Sequence, residues 1–356
     1  MSLFKDMLGS EESLFKDEVA LDFSFMPKMI PYREDCQRRM AYCIKPLFQK
    51  RNGKNLFIYG VPGIGKTLAC RHVLKELEEE TDDIIPIYIN CWQKNTTFKV
   101  MIEICEILGY KLIMNKSSDE LFKDIRNIIN KKAAVFVFDE IDKADDLDFV
   151  YSVLEEIYRK TIFFVTNSKE WLYNVEERLK SRLMLEMLEF KPYNYEETKG
   201  ILRQRIEYAF VPGVLSDEAF KLILKKTVEI KDIRCGLYML REAGLNAENR
   251  SSKKITAEDA RIAIKRLGDY NISKAERLED ESKFILNLIK NNSNKRMGEL
   301  YKIYKEVGGN SSYRTFFRKI NKLADNNLVL LEKKSGGKEG NTTIVRYFDK
   351  SKETQH

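Results

Sequence analysis

An eight-residue glycine loop is the clearest chemical feature of the sequence. Residues 60–67 read Gly-Val-Pro-Gly-Ile-Gly-Lys-Thr, and they stand between an apolar run and a helical pattern. Such a loop turns its N–H groups inward around a phosphate chain, and the amino end of the next helix adds partial positive charge. A glycine turn without a ligand is the alternative, but the strand before it and the helix after it favour the phosphate site. The predicted nucleotide-binding residues are Gly60, Val61, Pro62, Gly63, Ile64, Gly65, Lys66, Thr67 and Leu68.

Two adjacent carboxylates follow the apolar stretch 133–138, and they form the second chemical group. Lys66 is expected to reach the β- and γ-phosphates, while Thr67 and Asp139 are expected to hold Mg²⁺. Glu140 would then activate the attacking water. A polar strand end that merely starts a loop is the alternative for this pair. Together with the loop, the pair predicts an ATPase that uses ATP or ADP and Mg²⁺.

The elements that must position these groups are short apolar strands alternating with helical patterns. Strands are predicted at 56–59, 84–90, 133–138 and 161–166. Strands that alternate with helices form right-handed crossovers, so the predicted fold is an α/β parallel sheet with helices on both faces.

The strand pattern stops near residue 191, and four helical stretches follow it. The predicted divisions of the chain are 1–191 for the nucleotide-binding domain with a loose lead-in at 1–25, 192–268 for an α-helical domain, 269–277 for a linker, 278–348 for a carboxy-terminal module, and 349–356 for a tail.

Charge and cysteine content limit the class of protein. Residues 271–356 hold 18 basic and 11 acidic side chains, so the whole net charge of +7 lies there, and this favours a polyanionic partner. A merely solubilising tail is the alternative. The six cysteines form no CxxC pair, which argues against zinc and against disulfides. No apolar run reaches the ~20 residues of a membrane span, and the amino terminus lacks a signal-peptide pattern. We therefore expect no membrane partner and a cytoplasmic, nucleoid-associated location, or a nuclear one in a eukaryote.

These motifs resemble AAA+ ATPases, and within them the origin-recognition and cell-division-control initiators of archaea and eukaryotes, from about Phe25 to Phe348. The resemblance implies a P-loop AAA+ domain, an α-helical lid domain and a winged-helix domain. It also implies slow, switch-like ATP hydrolysis, with duplex origin DNA, other initiator subunits and a replicative helicase as partners. Tyr32 and Arg33 belong to a segment that lies near the adenine in the family. Residues 96–108 match an extra helix that touches DNA in relatives, which makes Lys94 and Lys99 candidate DNA contacts.

Three further residues match sensor positions of this family. Asn167 ends a strand near the expected γ-phosphate, where it can hydrogen-bond the attacking water. Arg178 is the first candidate for an arginine finger that acts on a neighbouring subunit, and Arg182 is the alternative. Arg234 begins a lid helix and is expected to reach the γ-phosphate. The family usually has glycine where this chain has Lys231.

The module at 278–348 has the pattern of a winged-helix DNA-binding domain. Its third helix, 312–326, places Tyr313, Phe316, Phe317, Ile320 and Leu323 on one predicted apolar face. The polar groups expected to read a major groove are Arg314, Arg318, Asn321 and Lys322. A wing between two strands adds Lys333, Lys334 and Lys338. Winged helices also make protein contacts, which is the alternative here.

Three functions fit these features. The leading hypothesis is an ATP-dependent replication initiator that binds duplex origin DNA and uses its nucleotide state to control assembly or helicase loading. A branch-migration type DNA motor is the second, and the extra helix at 96–108 argues against it. A non-replicative DNA-binding regulator is the third, and the motifs leave it open.

Overall fold

The computed structural model describes residues 13–276, 280–309, 311–325, 328–334 and 342–347. The chain divides into two compact units between Ile264 and Lys265. Within the described ranges, no helix is both long and apolar enough to cross a membrane.

A five-stranded parallel sheet forms the centre of the first unit, in the order β2-β3-β4-β1-β5. The strands are β1 (Leu56–Tyr59), β2 (Ile84–Asn90), β3 (Ala133–Asp139), β4 (Lys160–Thr166) and β5 (Glu186–Glu189). Every residue of β3 is buried. Phe136 and Phe138 belong to one apolar cluster, while Val135 and Val137 belong to another, because alternate side chains point to opposite faces. Both faces are therefore covered, and the predicted α/β fold is confirmed.

Seven helices accompany this sheet. They are α1 (Glu34–Phe48), α2 (Lys66–Glu80), α3 (Thr97–Ile107), α4 (Ser118–Ile129), α5 (Asp148–Glu156), α6 (Trp171–Asn174) and α7 (Glu177–Leu183). Side chains cap α3 and α4 at their amino ends, from Thr96 and Ser117 respectively. Helix α2 begins after Gly65 without any side-chain cap. Its first N–H groups therefore remain available to a ligand.

Four helices form the lid domain, which belongs to the same unit up to Ile264. They are α8 (Tyr195–Ala209), α9 (Asp217–Ile230), α10 (Ile233–Asn249) and α11 (Ala257–Glu276). The first eight residues of the predicted linker at 269–277 are helical, because α11 continues through Gly268 to Glu276. A single glycine costs only about 1 kcal/mol in a helix, and strong helix formers such as Lys265 and Ala275 surround this one.

The structure corrects two further expectations in this unit. Strand β5 was not predicted, because its sequence Glu-Met-Leu-Glu carries little apolar signal. The lead-in was expected to be loose, but Leu14, Ala20 and Leu21 are buried. Residues 18–21 form a 3-10 helix that packs against α8 and α10. Residues 1–12 lie outside the described part of the chain.

After the end of α11, the described residues of the second unit form three helices and a small antiparallel sheet in the order β6-β8-β7. Its elements are α12 (Asp280–Asn291), β6 (Lys295–Arg296), α13 (Met297–Glu306), α14 (Tyr313–Asp325), β7 (Val329–Lys334) and β8 (Thr342–Tyr347). Phe316, Ile320 and Leu323 of α14 are buried as predicted. Tyr313 and Phe317 are 47% and 40% exposed, so the predicted apolar face is too wide. These two rings stack on each other at its edge, with their centroids 6.5 Å apart.

Candidate functional site

The glycine loop leaves the sheet at Tyr59 and turns sharply before α2. Gly63 and Gly65 have φ of +75° and +87°, where residues with a Cβ are strained. A Cβ on Gly63 would lie 1.9 Å from Oδ1 of Asp232, which belongs to the lid domain. The N–H group of Ile233 donates to the Gly63 carbonyl over 3.2 Å. Glycine at 63 therefore permits both the turn and the close approach of the lid.

The Lys66 ammonium is buried in this loop, with the whole residue only 6% exposed. Its Nζ donates to the carbonyls of Gly60 and Val61 over 2.6 Å and 2.9 Å. It also donates to Oδ1 of Asn167 over 2.9 Å. All three acceptors are neutral, and burial lowers the pKa of Lys66 to about 8. A polyphosphate would supply an opposite charge in direct contact with this cation, which its three neutral acceptors do not.

The acid pair lies at the carboxyl end of β3, beside the loop. Asp139 is 2% exposed, and its Oδ2 accepts from the Thr67 hydroxyl over 2.6 Å and from the Tyr88 hydroxyl over 2.7 Å. Glu140 has φ of +53°, a conformation that non-glycine residues adopt rarely and often at functional sites. Burial, and then the negative charge of Asp139, raise the pKa of Glu140. A carboxylate with a raised pKa is a better proton acceptor, as a general base requires.

The donor atoms around Asp139 fit a magnesium ion. Mg²⁺ prefers hard oxygen ligands and takes few from the protein, with water and substrate phosphates completing its shell. The Thr67 hydroxyl and the Asp139 carboxylate are such ligands, and they already lie side by side. In the described residues, no group of three or more His, Cys, Asp or Glu side chains could hold a metal alone. The arrangement therefore fits an ion shared with a nucleotide.

Tyr88 is a site residue that the motifs did not predict. It lies on β2, where its register partner on β3 is Val137, two residues before Asp139. Residues two apart on a strand share a face, so the Tyr88 hydroxyl reaches the Asp139 carboxylate. The sequence does contain a signal for this role, because Tyr88 is a polar residue on the predicted strand 84–90. Its contact with Asp139 could be predicted only by knowing that this strand lies next to β3, which the motifs do not show.

A cavity of about 300 Å³ joins these groups to the lid and to the amino-terminal segment. The predicted loop residues that line it are Pro62, Gly63, Gly65, Lys66, Thr67 and Leu68. Gly60, Val61 and Ile64 shape the loop from outside the lining. Asp139, Glu140, Asn167 and Arg234 complete this polar end. The other end is largely apolar and includes Phe23, Met26, Pro27, Ile30, Pro31 and Ile201. A polar end and an apolar end suit a molecule that has a charged tail and a flat base.

Tyr32 and Arg33 lie outside the cavity lining. The buried Arg33 guanidinium donates to the Ile64 carbonyl over 3.1 Å and to the Lys191 carbonyl over 2.7 Å. It also stacks 3.8 Å from the centroid of the Tyr193 ring. Arg33 therefore stabilises the glycine loop from outside the cavity. Tyr32 is 43% exposed.

Arg234 brings a lid cation to the polar end of the cavity. Its guanidinium pairs with the Asp232 carboxylate at 2.7 Å. Lys231, three residues before Arg234, has φ of +59°, so the left-handed turn exists although the residue is not glycine. Both finger candidates lie on α7 and are exposed. Arg182 forms an ion pair with Glu155.

The candidate DNA contacts of the second unit lie mainly on α14. Arg314 and Arg318 are exposed, and Asn321 is partly exposed. Lys322 lies on the same helix, and Lys333 and Lys334 lie on β7, but their side chains are not described. Lys338 lies outside the described residues.

The two candidate contacts of the first unit flank the start of α3. Lys94 forms an ion pair with Glu103 at 2.7 Å. The Lys99 Nζ donates to Oδ1 of Asn95 over 2.8 Å. Both lysines are therefore engaged with neighbouring side chains on the protein surface.

Comparisons with known proteins agree with this geometry. An AAA domain model matches residues 49–169, and a Cdc6 AAA+ ATPase-type lid domain model matches residues 199–265. ORC1-type DNA replication protein 2 of Methanothermobacter thermautotrophicus is 30% identical, over 96% of this chain and 94% of the relative. ORC1-type DNA replication protein 1 of Sulfurisphaera tokodaii is 31% identical, over 84% and 80%. The structure of the Aeropyrum pernix ORC1 protein in complex with DNA superposes with a TM-score of 0.75 at 27% identity, over 95% of this chain and 94% of that one.

Proposed function

Because the chain belongs to the ORC1-type/Cdc6 family of AAA+ replication initiators, we propose that it binds duplex DNA at replication origins and uses its nucleotide state as a switch. The observation that carries this proposal is the joining of glycine loop, acid pair and lid arginine around one cavity. Similarity to the relatives extends over nearly the whole chain, so the same division of labour is expected here. ATP and ADP states would differ in assembly with other initiator subunits or in helicase loading.

In the proposed reaction, Lys66 binds the β- and γ-phosphates, which replace its present carbonyl and amide partners. Thr67 and Asp139 would hold Mg²⁺, which offsets phosphate charge when bound, and Tyr88 keeps the Asp139 carboxylate oriented. Glu140 accepts a proton from the attacking water, and Asn167 orients that water. Hydrolysis is expected to be slow, as suits a switch.

Two arginines would report the γ-phosphate to the rest of the assembly. Arg234 leaves Asp232 to contact the γ-phosphate, and this movement closes the lid helix α10 on the nucleotide. Arg178 acts on the nucleotide of a neighbouring subunit, and Arg182 stays the alternative. Both roles use a fixed guanidinium charge against phosphate oxygens.

The second unit is proposed to act as a winged helix. Helix α14 buries Phe316 and Ile320, while Arg314 and Arg318 point away from this core, as a helix in a major groove requires. Lys322 and the strand lysines would add phosphate contacts. Affinity for duplex DNA should therefore fall steeply with salt.

Mapping the chromosomal binding sites of the full chain tests this function. Discrete sites at replication origins are expected. Sites at promoters alone would favour the regulator, and DNA-stimulated strand displacement by a ring would favour the motor.

A further inference from the structure

The amino-terminal segment 13–31, which we call the clasp, is fastened to the lid and also forms part of the cavity. The N–H group of Val211 donates to the Leu14 carbonyl over 3.0 Å, and that of Lys16 donates to the Ala209 carbonyl over 2.8 Å. These backbone bonds join the start of the clasp to the end of α8. Later clasp residues, among them Phe23, Met26 and Pro27, line the apolar end of the cavity. The clasp thus connects the lid to the apolar part of the cavity wall.

Arg205 of α8 provides a buried side-chain link between the lid and the clasp. Its guanidinium donates to the Ala20 carbonyl over 2.9 Å and to the Phe25 carbonyl over 3.3 Å. It also lies 4.9 Å from the centroid of the Phe25 ring. The residue is 5% exposed and is itself part of the cavity lining.

The chemistry of this link is unusual for a packing contact. A buried guanidinium whose hydrogen-bond acceptors are neutral carbonyls costs stability, and burial lowers the pKa of Arg205. Arginine nevertheless suits the task, since its planar fork can hold two carbonyls five residues apart in the clasp at fixed positions. The residues between those carbonyls include Phe23 and Ser24, which face the cavity.

We propose that Arg205 is a positioning residue for the base of the bound nucleotide. By holding the Ala20 and Phe25 carbonyls, it fixes the apolar wall at Phe23 and Met26 and ties that wall to the lid. The inference rests on the proposed nucleotide site, because a bound nucleotide would place its base, and not its phosphates, at this end of the cavity. Lid closure on the phosphates then also closes the wall on the base, so a single movement of the lid encloses both parts of the nucleotide.

The test separates the base from the phosphates. Dissociation constants of the full chain are measured for ATP and for inorganic tripolyphosphate, both with Mg²⁺, and their ratio reports what the base and sugar add. In Arg205→Met this advantage of ATP should fall about fivefold to tenfold, since two charge-assisted bonds are lost. Tripolyphosphate affinity should stay at the wild-type value.

Matched variants make the result specific. Arg203→Met, on the same helix but exposed and lying over Phe220, should leave the ratio unchanged. Arg205→Lys keeps the cation but not the planar fork, so it should give an intermediate ratio, and it serves as the test if Arg205→Met does not fold. A wild-type ratio in the Arg205 variants would overturn the proposal. Equal loss of both ligands would do the same, since it indicates a purely structural role.

One further variant separates this proposal from the site on which it rests. Lys66→Ala should lose both ligands, because both use the phosphate end. If Lys66→Ala bound both normally, the phosphate site itself would be wrong. If the wild type bound tripolyphosphate as tightly as ATP, the apolar end would not take the base, and the role of Arg205 would fall while the phosphate site stood.

Discussion

Replacing Lys66 with methionine should stabilise the empty protein and abolish its response to ATP. Methionine is close to lysine in length and carries no charge, so it removes the buried ammonium without opening a large hole. Lys66 is 6% exposed and has only neutral hydrogen-bond acceptors. The residue that binds phosphate is therefore expected to destabilise the fold when phosphate is absent.

The size of the effect follows from the pKa of Lys66, which burial lowers from 10.5 to about 8. At about 1.4 kcal/mol for each tenfold change, keeping this ammonium charged in the folded protein costs about 3 kcal/mol at neutral pH. Loss of its hydrogen bonds offsets part of this, although water in the cavity can reach the freed carbonyls. We expect Lys66→Met to raise the free energy of unfolding by about 1–3 kcal/mol.

The pH dependence of this effect has a definite sign. Because the pKa of Lys66 is lower in the folded protein, the unfolded chain binds more protons between about pH 8 and pH 10.5. The wild type therefore gains stability from this group as the pH rises through that window. The advantage of Lys66→Met should be full below pH 8 and should shrink above it.

Thermal unfolding with and without MgATP measures both parts of the prediction. Each kcal/mol should shift the midpoint by about 2–4 °C in a unit of this size. Lys75→Met, an exposed lysine on the same helix paired with Glu79, is the control and should keep the ATP response. A lower midpoint for the empty Lys66→Met protein, or a preserved ATP-induced rise, would refute the reasoning.

Three further predictions concern the other site residues. Glu140→Gln should bind ATP at wild-type affinity but lose turnover by at least about 100-fold, as removal of a general base does; normal turnover in a phosphate-release assay would remove it as the base. Arg178→Ala should bind ATP normally and lose turnover only in the assembled complex, whereas Arg182→Ala should retain it; the reverse pattern would move the finger to Arg182. Arg314→Ala with Arg318→Ala should weaken duplex binding and reduce the slope of log affinity against log salt by up to about two; unchanged titrations would exclude this helix as the DNA contact.

The sequence predicted site residues that lie in local motifs, but not contacts between residues that are far apart along the chain. The glycine loop, Asp139 and Glu140 are local patterns at the end of predicted strands, and the structure brings them together. Tyr88 reaches Asp139 across 51 residues of chain, and Arg205 reaches Ala20 across 185. No periodicity or motif encodes such pairs, because they depend on strand order and on lid packing.

The remaining differences arise from weak local signals. The apolar residues of the clasp, such as Leu14 and Leu21, follow no helical or strand period. The sequence alone therefore does not predict that they are buried against the lid helices. Gly268 looked like a break, but α11 tolerates it. The family resemblance implied that Arg33 lies near the adenine. In the structure Arg33 instead contacts the Ile64 carbonyl of the glycine loop and does not line the cavity.

Coupling between the nucleotide cavity and DNA is tested most directly by the affinity of the full chain for a duplex from its own replication origin. The dissociation constant is measured at one salt concentration with ATP and then with ADP. Different affinities are expected with the two nucleotides, and the difference should disappear in Arg234→Met, whose lid cannot sense the γ-phosphate. Equal affinities with ATP and ADP in the wild-type protein would contradict the nucleotide switch.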